Sequence, residues 1–120
     1  MRIKHTLVAS VVCLTLGNAW SQSDQARAEK IVSGSCFLCH GENGESSSEI
    51  FPKLAGQHAN YIAKQLENFK TGKRKSTAMA DMSARLGAED MLALGKYFEA
   101  RKSEPEAIKD ADLAGVGRYI

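Results

Sequence analysis

The residues most able to do chemistry together are Cys36, Cys39 and His40, in the stretch GSCFLCHGENGE at positions 34–45. Two thiols separated by two residues and followed at once by an imidazole suit more than one kind of site. A structural zinc ion takes four ligands, usually as two pairs. Beyond the apolar N-terminal stretch the chain offers only His58 as a further histidine. Neighbouring Cys39 and His40 also point apart, so tetrahedral closure is poorly served. A redox-cycling dithiol expects a strand before the motif and a sheet beneath it. No alternating apolar and polar run that would mark a strand is found.

A covalently held haem uses all three positions. On a helical turn the two sulfurs lie about one turn apart and can add to the two vinyl groups on one porphyrin edge. His40 then lies beneath the ring, with a nitrogen for the iron. The C-x-x-C-H order is an attachment signal for c-type haem. A second axial ligand would come from a later segment, and His58, Met79, Met82 and Met91 are the candidates. Met91 falls on an apolar helical stripe and suits core packing. His58 precedes a helix and suits a surface or supporting role. Met79 and Met82 lie in an otherwise polar loop, where a thioether calls for a ligand role or a packing contact.

The elements that must position these groups are helical. Apolar spacing predicts helices over about 24–33, 60–70 and 88–101. Ser23 or Asp24 caps the first, and Gly34 is expected to stop it. Ile62, Leu66 and Phe69 form the stripe of the second, which Gly72 ends. Met91, Leu94 and Phe98 form that of the third, with Glu89 and Asp90 at its positive end. Gly95 inside the third helix suits either a close helix approach or a tolerated surface position. The intervening 41–51 and 71–85 read as loops. These core residues are few for the chain's size, and a large apolar cofactor would supply the missing interior.

The chain has 120 residues, enough for one small domain. Arg2, Lys4 and His5 precede a mostly apolar run over 7–16, and small residues stand at the −3 and −1 positions of a cut after Ala19 or Ser21. That pattern predicts a cleaved signal peptide at 1–21 and export to the periplasm. The run is about half the roughly 20 residues of a spanning helix. Removing Arg2 and Lys4 takes the 16 basic residues to 14, equal to the 14 acidic ones. A neutral mature chain argues against nucleic-acid or anionic-membrane binding. Cys13 leaves with the signal, so the two motif cysteines are the only thiols of the mature chain.

Several segments together resemble a class I cytochrome c, most closely one domain of the bacterial dihaem "c-four" type. They are Cys36-Phe37-Leu38-Cys39-His40-Gly41, Phe51-Pro52-Lys53-Leu54-Ala55-Gly56-Gln57-His58, Tyr61, Gln65-Leu66, Phe69, Gly72, Arg74, Met79-Ala80-Asp81-Met82 and the closing helix. The resemblance spans about 24–101 and implies an all-α fold wrapped around one covalent haem c, anchored through Cys36 and Cys39. It implies His40 and a methionine as axial ligands: Met79, about eight residues before the cap of the last helix, with Met82 as the alternative. Asp81 stands where many relatives carry proline. The resemblance also implies that the Pro52 carbonyl accepts a hydrogen bond from the other ring nitrogen of His40.

Iron with both axial positions filled has no place for a substrate. The implied function is therefore not enzymatic. It is electron transfer between periplasmic redox proteins, with no small-molecule substrate, either as a free carrier or as the haem subunit of a dehydrogenase; a haem-based ligand sensor is the more distant alternative. Lys70, Lys73, Arg74 and Lys75 form a basic cluster and Glu42, Glu45 and Glu49 an acidic loop, together a dipole able to orient an encounter. The expected organisation is a signal peptide at 1–21, the domain at 22–101 and a tail at 102–120. Asp112, Ala114, Arg118 and Ile120 each follow Asp24, Ala26, Lys30 and Val32 by 88 residues. This faint repeat suggests the start of a second haem domain.

Overall fold

A computed structural model describes residues 22–46 and 48–105. The signal-peptide segment and the repeat at 112–120 lie outside the described residues. Those described are helical, with no strand among them. α1 spans Gln22–Ile31, a π-helical turn covers Val32–Cys36, and α2 is Phe37–His40; α3 is Ala59–Lys70, α4 is Thr77–Ser83 and α5 is Ala88–Glu99. No described helix is long and apolar enough to cross a membrane.

The expected stop at Gly34 is corrected: the helix runs on to His40 and ends at Gly41, whose φ of 74° is readily adopted only by a residue without a side chain. Serine hydroxyls help explain the wider turn. Ser33 Oγ donates to the Lys30 carbonyl (3.3 Å) and Ser35 Oγ to that of Ile31 (3.2 Å), drawing on acceptors that the next turn would use. The Phe37 amide then donates to Val32, five residues back. A π turn rotates everything beyond it relative to α1. Ala28 and Val32 can thus face the core while the motif continues on the same rod.

α5 is the spine. Met91, Ala93, Leu94, Gly95, Tyr97 and Phe98 are all buried, because apolar residues recur on adjacent turns. Around it gather Ala28 and Val32 from the first rod and Ile62 from α3, with Leu54, Leu66 and Leu86 partly buried against them. Gly95 settles the alternative left by the sequence. A Cβ there would overlap the Ala59 carbonyl oxygen and lie 2.9 Å from Ala59 Cα, so the first turn of α3 rests directly on the α5 backbone. Glu99 then caps that turn, its Oε1 accepting from the Ala59 amide at 3.1 Å. At the other end of α5, Asp90 Oδ2 accepts from the Gly87 amide at 2.9 Å. Arg27 reaches from α1 to Glu89 (3.1 Å) and Asp90 (3.6 Å).

Candidate haem-binding site

Cys36 ends the π turn, and Cys39 and His40 lie in α2, so the three motif groups share one rigid rod. Both sulfurs are free thiols, Cys36 half-buried and Cys39 exposed. Burial pushes the Cys36 thiol up from its ordinary pKa, opposed in part by a hydrogen bond with Ser35. The His40 ring is buried at 8% exposure, and its Nδ1 lies 2.9 Å from the Pro52 carbonyl oxygen. A carbonyl can only accept, so Nδ1 donates, and in the neutral imidazole Nε2 then keeps its lone pair. The contact expected from the resemblance is thus present. Phe51 stands edge-on to the imidazole, ring centroids 6.3 Å apart.

Pro52 is carried by a loop that returns to its own start. The Gly44 carbonyl accepts from the Leu54 amide (2.8 Å) and from the Ala55 amide (3.2 Å), closing the loop at its neck. Beside the neck, Glu45 Oε2 meets Lys53 Nζ at 3.0 Å, while its Oε1 accepts from the Glu104 amide, also at 3.0 Å. The Lys53 contact, followed by the Glu104 amide, holds the Glu45 carboxyl below its ordinary range. Sequence reasoning placed Glu45 only in an acidic surface loop. Its pairing across the neck has no local sequence signal, since it exists only once the loop has closed.

The methionines lie on another element, and the expected loop over 71–85 needs correction: Met79 and Met82 both sit on α4. Ser76 extends ahead of it and accepts from the Met79 amide at 3.3 Å, the geometry of an N-cap. That serine was the available sequence signal. The buried Ser83 hydroxyl donates to the Met79 carbonyl at 2.7 Å, fixing the backbone on which Met79 stands. Met79 is half-buried, whereas Met82 is 51% exposed. Met91 is 2% exposed and belongs to the core. His58 is exposed, 3.4 Å from Glu99 Oε1, in the surface role expected of it. Cys36, Cys39, His40 and Pro52 are therefore brought together, with Met79 presented separately by α4.

The donor set suits a haem better than a bare ion. Among the described residues no three His, Cys, Asp or Glu side chains gather closely enough to hold a metal by themselves. The motif instead offers two thiols for covalent anchorage and one imidazole with a single nitrogen left to donate. Apolar side chains remain for a large apolar partner: Phe51 and Phe37 are 37% exposed and Leu38 is 72% exposed.

Comparison with known proteins agrees. The family profile described as "Cytochrome c" matches residues 25–120. The chain is 39% identical to the cytochrome c4 of Thiocapsa roseopersicina over 97 residues, covering 81% of this chain and 50% of that protein. It is 31% identical to the "Cytochrome subunit of sulfide dehydrogenase" of Chlorobaculum tepidum, covering 77% of this chain and 92% of that protein. The crystal structure of reduced recombinant cytochrome c4 from Pseudomonas stutzeri superposes with a TM-score of 0.62 at 34% identity, over 68% of this chain and 50% of that one. The chain thus spans about half the length of the cytochromes c4 it matches. A c-type haem is its cofactor, and Cys36 and Cys39 fit the attachment motif. The helices packed on α5 and the motif rod make a class I cytochrome c fold, and the chain belongs to the cytochrome c family.

Proposed function

We propose that the protein carries single electrons between redox proteins of the periplasm, with His40 and Met79 as the axial ligands of its haem. The observation that carries this reading is the state of His40: buried, with Nδ1 donating to Pro52 and only Nε2 available. When bound, the haem supplies a one-electron iron couple. The chain's own residues do the rest. Cys36 and Cys39 would hold the haem covalently on the motif rod. The Pro52 carbonyl orients the imidazole and strengthens it as a donor. The Ser83 hydroxyl and the Ser76 cap hold the turn of α4 that presents Met79. Two protein ligands leave no position for substrate, so the reading is of a carrier and not an enzyme.

The electronic spectrum of the purified mature protein tests this. One covalent haem per chain is expected, with a long-wavelength thioether band when oxidised and no response to carbon monoxide when reduced. Met79→Ala is expected to abolish that band and Met82→Ala to leave it, because Met82 is the more exposed of the two. The reverse pattern would move the ligand to Met82. N-terminal sequencing of periplasmic material should begin at Trp20 or Gln22, consistent with a leader at 1–21 and a domain over 22–101.

A second reading is supported by the match to the sulfide dehydrogenase cytochrome subunit, of which the chain covers 92%. The protein would then serve as the haem subunit of a periplasmic dehydrogenase. Co-elution with a larger redox enzyme under native conditions would favour that reading over a free shuttle.

A further inference from the structure

We infer that Glu45 is a positioning residue for the haem ligand His40, acting through Lys53 and the Pro52 carbonyl; this rests on the reading of His40 as an axial ligand. The carboxylate joins segments far apart in sequence. Its Oε2 is 3.0 Å from Lys53 Nζ, and its Oε1 accepts from the amide of Glu104, beyond the end of α5. Lys53 directly follows Pro52, whose carbonyl oxygen lies 2.9 Å from His40 Nδ1. The loop around Pro52 is also tied by the Ser46 hydroxyl, which donates to the Cys39 carbonyl at 3.3 Å, and by the Ser48 hydroxyl, which accepts from the Ile50 amide at 3.3 Å. Pro52 has no amide proton to tie it, and both Pro52 and Lys53 are exposed. On the N-terminal side the Phe51 amide reaches the Ser48 carbonyl at a long 3.3 Å. On the C-terminal side Leu54 and Ala55 bond to the Gly44 carbonyl. Glu45, next to Gly44, adds to these ties a side-chain contact on Lys53, the residue between the neck and the Pro52 carbonyl.

Glu45 and Lys53 are both partly exposed, at 26% and 34% for their side chains. Such a pair adds little to overall stability. Its consequence lies in placement. A carbonyl that drifts from Nδ1 weakens the hydrogen bond and makes the imidazole a poorer donor, which favours the reduced state. Losing either partner should therefore raise the reduction potential. Through-space electrostatics alone gives different signs: losing a carboxylate raises the potential, and losing an ammonium lowers it.

The test is spectroelectrochemical titration of the haem-loaded wild type, Glu45→Ala, Lys53→Met and the double variant. A rise in both single variants, with a rise in the double no larger than the greater single, is the expected result. A fall in Lys53→Met, or a double variant returning to the wild-type value, overturns the proposal. Solvent exchange of the His40 Nδ1 proton, followed by NMR of the reduced protein, should be faster in both single variants; unchanged exchange also overturns it. If Glu45→Ala does not load haem, Glu45→Gln keeps an acceptor for the Glu104 amide, loses the charge opposite Lys53, and carries the same expectations. A wild type without one covalent haem per chain would defeat the ligation reading and this inference with it. A normally loaded wild type with unmoved variants defeats this inference alone.

Discussion

A single proton, on Nδ1 of His40, separates an imidazole that can donate to iron from one that cannot. Its place is fixed because the facing group is a carbonyl, which accepts and never donates. Glu45 shows a related effect in its titration. Its folded pKa lies below its unfolded one, chiefly because of Lys53 and then the Glu104 amide. Its contribution to stability is therefore present at neutral pH and lost as pH falls through the lowered value. Thermal unfolding of the holoprotein should show Glu45→Gln below the wild type at pH 7, with the gap closing in strong acid. An equal gap at both pH values would count against the ion pair. At this scale the motif trio was legible from spacing, and Pro52 from resemblance. Glu45 was not, because its partners are 8 and 59 positions away and meet it only in the closed loop.

Two glycines in helical segments illustrate what elements demand. Gly95 lies where the start of α3 rests on α5, and an added methyl group would meet the Ala59 backbone, which cannot swing aside. Gly95→Ala is expected to cost about 1–3 kcal/mol by overpacking, read as a lowered chemical-denaturation midpoint. Gly34 in the π turn has open space, with nothing within 4 Å of where a Cβ would stand, and no positive φ. Gly34→Ala is expected to stabilise by about 0.4–1 kcal/mol, because it narrows the unfolded ensemble without a clash. The same letter thus carries opposite meanings, and sequence periodicity alone does not separate them. Periodicity did find α3 and α5, because each has a buried stripe, and α1, where Ala28 is buried and the pattern continues to Val32 just beyond its end. It missed α4, a single seven-residue element whose one buried side chain is a serine. A helix that short is held by its cap and its neighbours rather than by an apolar face.

At the scale of the whole molecule, charge would decide how partners approach. The basic cluster seen in the sequence divides once folded. Lys70 Nζ donates to the Leu86 carbonyl, and Arg74 donates to Gln65 Oε1 at 2.8 Å with its guanidinium 4.7 Å over the Phe69 ring. Lys73 and Lys75 remain exposed on the turn after α3. If that turn borders the docking face, reversing Lys73 and Lys75 to glutamate should slow electron exchange with an acidic partner about tenfold at low ionic strength. Stopped-flow rates should converge with the wild type as salt is raised, and identical rates at low salt would remove the turn from the encounter. Reversing Arg74 would instead disturb α3, a distinction that the sequence, with its four neighbouring cations, did not make.

The closed neck at Gly44 also bears on how this loop can vary. The Gly44 carbonyl is bonded by both Leu54 and Ala55, so the span between is already a ring closed by hydrogen bonds. Lengthening such a ring costs only the logarithm of its size, about 0.6 kcal/mol for a doubling. Residues inserted after Glu49, on the far side of the ring from the neck, would break the bond from the Phe51 amide to the Ser48 carbonyl but leave the Gly44 carbonyl bonded to Leu54 and Ala55. Leu54 would stay in place at the neck. Growth of that stretch would therefore leave the neck that carries Leu54 closed at little cost.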